Sequence, residues 1–318
     1  FYIGRIGNLI SYIFLIYNAI KKLPFFKNLM LFIALMPMSL YLGSSLNYDA
    51  VLIGISFFTI SYILNLIYNN DVKFTKKDFY LFVFLSYFLL EFKVIYFPII
   101  LLILLIPKEK IKDKKWILFV KILLGVLFLK IVYNFIFKTE VSGVVIEKNL
   151  ILSQISFILR HPNKYVFILY NTYKINKDFY VMSFVGNFGW LDTPMNILFS
   201  IFYIGLLIFI SNLETKVIDV KSKIYILGIN VLIYLLLFTS LYVIWTVNWE
   251  IGYKVVEGVQ GRYFIPFSFL ILILFNVKIT KIKYNKEIME NIKFYILPSL
   301  LLFSLIFSCL TIFIRFWV

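Results

Sequence analysis

The sequence has little of what a soluble protein needs for a hydrated surface or for common site chemistry. Only 15% of its 318 residues are charged, and it contains one histidine and one cysteine. Cys309 lies in an apolar run, so an internal disulfide and a paired-cysteine metal site are both excluded. The chain also lacks a glycine-rich phosphate loop and a serine elbow. These absences exclude the commonest soluble enzyme motifs.

Apolar residues dominate instead. Hydrophobic residues make up 62% of the chain and aromatic residues 20%, whereas soluble domains are typically about 45–50% apolar. Runs of such composition are long enough to cross a bilayer. We therefore predict an all-α, polytopic transmembrane bundle of about ten spans, forming one transmembrane domain over residues 1–318. The predicted spans are 6–20, 28–43, 49–68, 79–91, 94–106, 116–137, 195–211, 224–244, 263–279 and 294–314.

Two of these segments are short. Segments 79–91 and 94–106 have 13 residues each and are separated by Glu91, Phe92 and Lys93. Two interpretations remain open: a tight hairpin of thin spans, or a re-entrant pair. The plainer interpretation of Glu91 and Lys93 is an ion pair between the two segments.

The net charge of +16 has two interpretations. A basic soluble protein would suggest a nucleic-acid partner, but here the lysines are concentrated in short loops between apolar segments. The pattern is typical of cytoplasmic loops, so we expect no nucleic-acid partner. The loop lysines are Lys21, Lys22, Lys27, Lys73, Lys76, Lys77, Lys108, Lys110, Lys112, Lys114, Lys115, Lys216, Lys221, Lys223, Lys278, Lys281, Lys283, Lys286 and Lys293. The opposite short loops and ends hold Arg5, Lys93, Lys254, Arg262 and Arg315.

This charge contrast places the start of the chain, residues 138–194 and the VEGVQGR loop on the extracytoplasmic side. Segment 138–194 is too long for a turn. It contains ILSQISFILRHP and NKYVFILYNTYKI, whose mixed spacing of apolar residues predicts short amphipathic helices in the membrane interface. Pro162 is expected to begin the second helix.

Polar residues that are rare elsewhere gather at this outer level, on several segments. Ionisable groups within a span are costly and usually face a cavity or a partner, so the sequence predicts a shared outward cavity. Its candidate residues are Arg5, Asn8, Asp49, Lys93, His161, Asp192, Glu257, Gln260 and Arg262.

Each candidate also has a plainer interpretation. Asp49 begins a helix, where an acid complements the helix dipole. Arg262 could extend to lipid headgroups, although its neighbours Gly261 and Gln260 favour the close approach of a phosphate or a polar chain. His161 has no partner spaced like a metal ligand, so we assign no residue to a metal site.

Several strings of the sequence resemble one known family. They are RIGNLISY, ALMPMSLYLGSSLNYDA, EFKVIYFP, RHPNKY, GNFGWLD and GVQGRYFIP, in that order along the chain. Together they resemble the bacterial membrane family catalogued as domain of unknown function 2142, with SSLNYDA and GVQGRYFIP the most specific parts. That family is similar in architecture to the GT-C glycosyltransferases.

The resemblance implies a membrane enzyme that takes a sugar from a polyprenyl-phosphate carrier at the outer face of the bacterial cytoplasmic membrane. The acceptor would be a cell-envelope glycan. It also implies a further span and an acidic outer loop upstream of Phe1, and in GT-C enzymes that loop usually supplies the catalytic base. No cofactor is indicated, and dependence on a divalent metal is left open.

Such a reaction needs an acidic residue, acting as a carboxylate base, to deprotonate the acceptor hydroxyl, and cations to stabilise the departing phosphate. We expect Arg262 to bind the phosphate, assisted by Lys93 or Arg5. Asp49 is the best carboxylate in this chain for acceptor binding or base chemistry. Gln260 and Asp192 are expected to bind sugar hydroxyls, and Asn8, His161 and Glu257 complete the set of candidate substrate-binding residues.

Two other functions use similar chemistry. A transporter or flippase for a lipid-linked glycan would be expected to show inverted repeats and polar groups near the bilayer midplane. The sequence shows no repeat, and its polar groups gather at one face. A polysaccharide polymerase would share the outward arginines and the lipid-linked substrate.

Overall fold

A computed structural model describes most of the chain. The described residues are 1–111, 115–137, 140–141, 144–145, 148–216, 218–277 and 286–317. Lys112, Lys114, Lys278, Lys281 and Lys283 of the predicted cytoplasmic loops lie outside these ranges.

The described structure is almost entirely helical. Its α-helices are α1 (Tyr2–Lys22), α2 (Lys27–Ala34), α3 (Pro37–Gly43), α4 (Asp49–Tyr68), α5 (Lys76–Phe92), α6 (Lys115–Phe137), α7 (Lys148–Arg160), α8 (Pro162–Val185), α9 (Ile197–Asn212), α10 (Val220–Ile244), α11 (Ile265–Leu272), α12 (Lys286–Asn291) and α13 (Leu297–Trp317). Short 3₁₀ helices cover Val94–Leu105, Lys108–Lys110, Thr246–Asn248, Gly261–Phe264 and Ile273–Phe275, and a π-helical turn covers Ile292–Ile296. Two antiparallel hairpins pair β1 (Glu140–Val141) with β2 (Val144–Val145) and β3 (Asn187–Phe188) with β4 (Thr193–Pro194).

Each predicted span overlaps helical segments within the described ranges, the second of them two helices, and the prediction of an all-α polytopic membrane protein is confirmed. Four helical segments in the described part are long and apolar enough to cross a bilayer: Tyr2–Lys22, Asp49–Tyr68, Val220–Asn248 and Ile292–Trp317. The other apolar helices are shorter.

The described chain forms two compact units. Unit 1 contains Phe1–Tyr62, Asp178–Gly228 and Gln260–Val318, and unit 2 contains Ile63–Lys177 and Ile229–Val259. Helices α4, α8 and α10 contribute residues to both units. The single transmembrane domain expected from the sequence stays a prediction.

The predicted second span is broken inside unit 1. Met36 has an extended backbone (φ −58°, ψ 141°) and precedes Pro37, the first residue of α3. A residue before proline is disfavoured in the helical region, and proline has no N–H to continue the ladder. The chain therefore ends α2 at Ala34 and restarts as α3, both largely buried.

Side-chain hydroxyls bind the carbonyls that this break exposes. The carbonyls of Phe32, Ile33 and Ala34 accept hydrogen bonds from Tyr203, Ser39 and Tyr12, at 2.9, 2.7 and 2.7 Å respectively. All three hydroxyls belong to buried residues. An unbonded carbonyl in an apolar interior is costly, so these bonds let α1, α3 and α9 stabilise the break.

One end of unit 1, called the lysine end below, joins the loops after α1, α9 and α11. Glu214 accepts the Phe26 N–H at 2.8 Å, and Asn276 donates to the carbonyls of Ser211 (2.8 Å) and Glu214 (3.2 Å). Exposed lysines surround this junction: Lys21, Lys22, Lys27, Lys216 and Lys221.

The other end of unit 1, called the arginine end, joins the start of α1 and α4 to the C-terminus of α13. Its connections are Asn8 to the Ser45 carbonyl, Gly189 N–H to the Tyr41 hydroxyl, Arg262 to Asp49, and Arg315 to Asp192. In this unit the structure therefore groups the loops as the charge pattern predicted. The orientation of the two ends in the membrane stays a prediction.

In unit 2, the two short predicted spans form a hairpin. α5 and the 3₁₀ helix Val94–Leu105 pack together, and Phe74 N–H donates to the Lys110 carbonyl at 2.9 Å where the ends of the two arms meet. An α-helix of 17 residues is about 25 Å long, and a 3₁₀ helix of 12 residues about 24 Å because it rises about 2 Å per residue. The two arms are therefore about equal in length, and both interpretations of the hairpin, a pair of thin spans or a re-entrant pair, stay predictions.

The long predicted outer segment contains two helices, and Pro162 begins the second as expected. α8 extends to Val185 and has 24 residues, so it is longer than the short interfacial helix that the sequence pattern predicted. Within unit 2 its Thr172 hydroxyl accepts the Val256 N–H at 2.8 Å. On α7, the fully buried Gln154 accepts the Gly252 N–H at 3.1 Å. These bonds to the loop after α10 supply tertiary contacts that an isolated interfacial helix lacks.

Cysteine labelling tests the orientation of unit 1. In a Cys309→Ser background, we expect Trp190→Cys to react with an impermeant maleimide in intact cells, because Trp190 is 97% exposed at the arginine end. Lys221→Cys at the lysine end should react only after permeabilisation. Labelling of Lys221→Cys, and protection of Trp190→Cys, in intact cells would reverse the orientation.

Candidate functional site

An arginine and an aspartate from distant parts of the sequence meet at the arginine end of unit 1. Arg262 Nη1 lies 4.0 Å from Asp49 Oδ2, and the two side chains are 25% and 9% exposed. This separation is too long for a hydrogen bond, but in a largely buried place the charges still compensate each other. The pair therefore holds a partly exposed guanidinium without fixing it in a two-pronged contact.

The loop before α4 orients Asp49. Asn47 Nδ2 donates to Asp49 Oδ2 at 3.0 Å, and Asp49 N–H donates to Asn47 Oδ1 at 3.2 Å. Asn8 on α1 holds this loop by donating to the carbonyls of Ser45 (2.7 Å) and Asn47 (2.9 Å). Asn8 thus lies near the predicted site, with its amide donors used by the loop that carries Asp49.

Arg262 lies in a tight 3₁₀ turn, Gly261–Phe264, immediately before α11. Its Nε–H is buried and has no hydrogen-bond partner among the described residues. The neighbouring Gln260 Oε1 is also buried without a partner in the described part of the chain. Buried polar atoms are nearly always bonded in proteins, so this turn holds one donor and one acceptor whose hydrogen-bonding capacity is unused among the described residues.

Two tyrosines complete the cluster. Burial, followed by the charge of Asp49 and the proximity of Tyr263, raises the pKa of Tyr48, while Arg262 acts in the opposite direction. A phenol is protonated at neutral pH at its ordinary pKa, and this shift keeps Tyr48 in that form. The guanidinium carbon of Arg262 lies 5.5 Å from the Tyr263 ring centroid, within range of a cation–π contact.

The glycines of VEGVQGR lie in close contact with other parts of the chain. Gly258 adopts a left-handed conformation (φ +80°), and a Cβ there would lie 2.8 Å from the Trp245 ring. Gly261 packs directly on α8, where a Cβ would collide with the backbone oxygen of Tyr180. Both glycines are required by packing within the chain.

Asp192 forms a second, separate ion pair. Arg315 Nη2 donates to Asp192 Oδ2 at 2.8 Å, with both side chains about half exposed. The hydrogen bond from Arg315 holds the pKa of Asp192 below its usual value. Asp192 Oδ1 accepts the N–H of Trp190 at 3.2 Å, at the tip of the β3–β4 hairpin. The structure therefore pairs Asp192 with α13 and the hairpin.

The remaining predicted residues lie on other elements. Arg5 is exposed on the first turn of α1. Lys93, His161 and Glu257 belong to unit 2. His161 is exposed and its ring lies 5.4 Å from that of Phe157, while Glu257 N–H donates to the Thr246 hydroxyl. Their predicted roles in substrate binding stay predictions.

The described residues offer no ready set of ligands for a metal ion. No group of three or more histidine, cysteine, aspartate or glutamate residues lies close enough there to hold one. At the arginine end, Asp49 and Asp192 are each paired with an arginine, which opposes cation binding at these carboxylates.

Sequence reasoning missed two residues of this region. Tyr48 stands inside the NYDA string, and its position beside Asp49 was the available signal. Ser183 accepts the Gly261 N–H at 2.8 Å from the last turns of α8. No sequence pattern marks such a residue, since it binds a backbone group from a segment 78 positions away.

The fold and this site define an all-α polytopic membrane protein with a charged cluster at one end of a helical unit. The chain belongs to the DUF2142 family, described as predicted membrane proteins, whose sequence pattern matches residues 1–271. The chain matches no curated protein and no solved structure.

Replacing Asp49 should destabilise unit 1. Asp49→Ala leaves the Arg262 cation without its compensating carboxylate, and we expect a loss of about 2 kcal/mol, below the value of a fully buried pair because Arg262 is partly exposed. Asp49→Asn should cost less, since an amide can still bind Asn47. The midpoint of thermal unfolding of the purified protein in detergent measures both.

Asp192→Asn is the matched control, because Asp192 also pairs with an arginine but in an exposed position. It should shift the midpoint much less than Asp49→Ala. Equal shifts for the two positions would show that the Asp49–Arg262 pair has no special structural role.

Proposed function

We propose that this protein is a membrane glycosyltransferase, which moves a sugar from a polyprenyl-phosphate carrier to a cell-envelope glycan at the outer face of the bacterial cytoplasmic membrane. In this proposal the arginine end of unit 1 faces outward and carries the carrier-binding site. The reaction breaks the bond between the sugar anomeric carbon and the phosphate oxygen, and forms a bond to an acceptor hydroxyl. The hydroxyl proton goes to a base.

The proposal is based on the hydrogen bonding and charge pairing of Arg262. Its Nη1 faces Asp49, while its buried Nε–H has no partner among the described residues. Nε–H and a terminal N–H on the same edge of a guanidinium match two oxygens of a phosphate. A buried donor left unbonded costs about 1–3 kcal/mol, so an oxyanion at this edge would remove that penalty. The same edge of the guanidinium would also stabilise the negative charge that develops on the leaving phosphate.

Two neighbouring groups suit the rest of a sugar phosphate. Gln260 Oε1, buried and unpartnered within the described chain, can accept a hydrogen bond from a sugar hydroxyl. The protonated Tyr48 can donate to a phosphate or a sugar oxygen. These groups bind and orient the ligand and transfer no proton in the proposed reaction.

Asp49 suits the role of orienting Arg262 better than that of catalytic base. The base of the proposed reaction must contact the acceptor hydroxyl, whereas a carboxylate that compensates the phosphate-binding guanidinium lies on the side of the leaving group. Asp49 Oδ2 lies 4.0 Å from the guanidinium that would hold the phosphate. We therefore propose that Asp49 positions Arg262 and that another carboxylate acts as the base that deprotonates the acceptor.

A transporter or flippase is the alternative, and the broken helix α2–α3 is the feature that would favour it. Transporters use the ends of such half-helices to bind substrate or ions. Here the freed carbonyls of Phe32, Ile33 and Ala34 already accept hydrogen bonds from Tyr203, Ser39 and Tyr12. This arrangement supports a structural break and makes the enzyme the better proposal. A polymerase of lipid-linked polysaccharide would use the same arginine site.

Replacing Arg262 tests the proposed site directly. We expect Arg262→Ala to lose on the order of 2–4 kcal/mol of transition-state stabilisation, as for a lost oxyanion donor. Arg262→Lys should retain the charge but lose the two-pronged contact, and so should be intermediate. The assay measures transfer from a radiolabelled polyprenyl-phosphate sugar in membranes, with protein amount checked by immunoblot.

Arg315→Ala is the matched control, because Arg315 is the other arginine at this end that pairs with an aspartate. It should retain near-normal transfer. Near-normal transfer by Arg262→Ala would overturn the site. Asp49→Asn distinguishes the two roles of Asp49: partial activity supports orientation of Arg262, and complete loss indicates the base.

A further inference from the structure

The turn that carries Arg262 is attached to α8 at two points within unit 1. At its start, Gly261 N–H donates to Ser183 Oγ at 2.8 Å, and both residues are buried. At its end, the Phe264 ring packs edge-to-face on Tyr180, with ring centroids 6.0 Å apart. Arg262 and Tyr263 lie between these two attachments. The position of the turn is therefore set by one face of α8, at residues 180–183.

Glycine at position 261 makes this attachment close. A Cβ there would lie 2.7 Å from Ser183 Oγ and would collide with the backbone of Tyr180 and Phe184. Helix backbone cannot move aside as a flexible side chain can. The backbone of the turn is therefore in direct contact with the backbone of α8, which only glycine permits. A displacement at Gly261 would move Arg262, the next residue, relative to Asp49.

Ser183 uses its one donor hydrogen and one of its two acceptor lone pairs in this position. Its hydroxyl donates to the Phe179 carbonyl at 2.6 Å and accepts from Gly261. Without that oxygen, the buried Gly261 N–H would lose its acceptor, and water would reach it only if the turn moved off the helix. The hydroxyl thus connects the helix ladder of α8 to the turn of Arg262.

We propose that Ser183 is a positioning residue of the phosphate site, which fixes Arg262 through the Gly261 N–H. The proposal rests on the proposed function, in that it assigns Arg262 to an oxyanion. Ser183 itself touches no ligand in this proposal. It keeps the guanidinium at the distance from Asp49 at which its Nε–H edge can receive the phosphate.

The experiment measures binding of polyprenyl phosphate to the purified protein in nanodiscs, with polyprenol as the phosphate-free probe. Ser183→Ala should weaken binding of polyprenyl phosphate roughly three- to tenfold, the range for loss of one hydrogen bond, and should leave any polyprenol binding unchanged. Ser56→Ala is the matched control. Ser56 is equally buried, lies on α4, and donates to the carbonyl four residues earlier as Ser183 does.

A double-mutant cycle separates positioning from general stability. If Ser183 acts through Arg262, Ser183→Ala should weaken binding in the wild-type background but not in the Arg262→Ala background. Equal, additive effects in both backgrounds would overturn the proposal. Hydrogen exchange gives a readout independent of ligand: the peptide 256–264 should exchange faster in Ser183→Ala than in Ser56→Ala, and equal rates would also overturn it.

The outcomes distinguish this inference from the proposed function. If Arg262→Ala binds polyprenyl phosphate as well as the wild type, the phosphate site itself fails, and the role of Ser183 fails with it. If Arg262→Ala loses binding while Ser183→Ala binds normally, only the role of Ser183 is overturned. Gly261→Ala provides a second variant for the same attachment and should weaken binding at least as much as Ser183→Ala.

Discussion

The need to bond every backbone polar group in an apolar interior governs this structure. Water cannot satisfy a free carbonyl or N–H there, so irregular backbone persists only where side chains supply partners. The break between α2 and α3 shows the rule most directly. Hydroxyls from Tyr12, Ser39 and Tyr203 bind its carbonyls, so the stability of the break depends on packing against α1 and α9 as well as on α3 itself.

The same constraint builds the candidate site. The segment before α11 is irregular and partly buried, and hydroxyls on α8 accept its N–H groups: Thr172 binds Val256 in unit 2, and Ser183 binds Gly261 in unit 1. In both cases the hydroxyl also donates to a carbonyl of its own helix four residues earlier. Arg262 thus lies on irregular backbone that a regular helix holds in place, and this rigidity suits the proposed anion site.

The two ends of unit 1 differ in their charged residues. The lysine end carries exposed lysines around a junction stabilised by Glu214 and Asn276, whereas at the arginine end both Arg262 and Arg315 are paired with aspartates. A membrane protein that retains lysines in its cytoplasmic loops would show this division. Paired arginines at the opposite end are therefore better explained by local structure or ligand binding than by topology.

The sequence by itself determined the class of protein and most helix positions. Apolar runs of span length, bounded by lysine-rich turns, allow few folds other than a helical membrane bundle, because length and hydropathy are local properties. It also singled out Asp49 and Arg262 as unusual polar residues at helix ends. The family strings SSLNYDA and GVQGRYFIP likewise marked the two segments that meet in the site.

Only the tertiary structure decided which polar residues lie close together. Sequence spacing could not show that Asp49 meets Arg262 across 213 positions while Asp192 pairs with Arg315, since either pairing satisfies the same local rules. It also could not show that Gly261 serves close packing on α8, or that Ser183 binds its N–H. Those roles depend on backbone groups brought together from distant segments, and a backbone N–H is the same for every residue except proline.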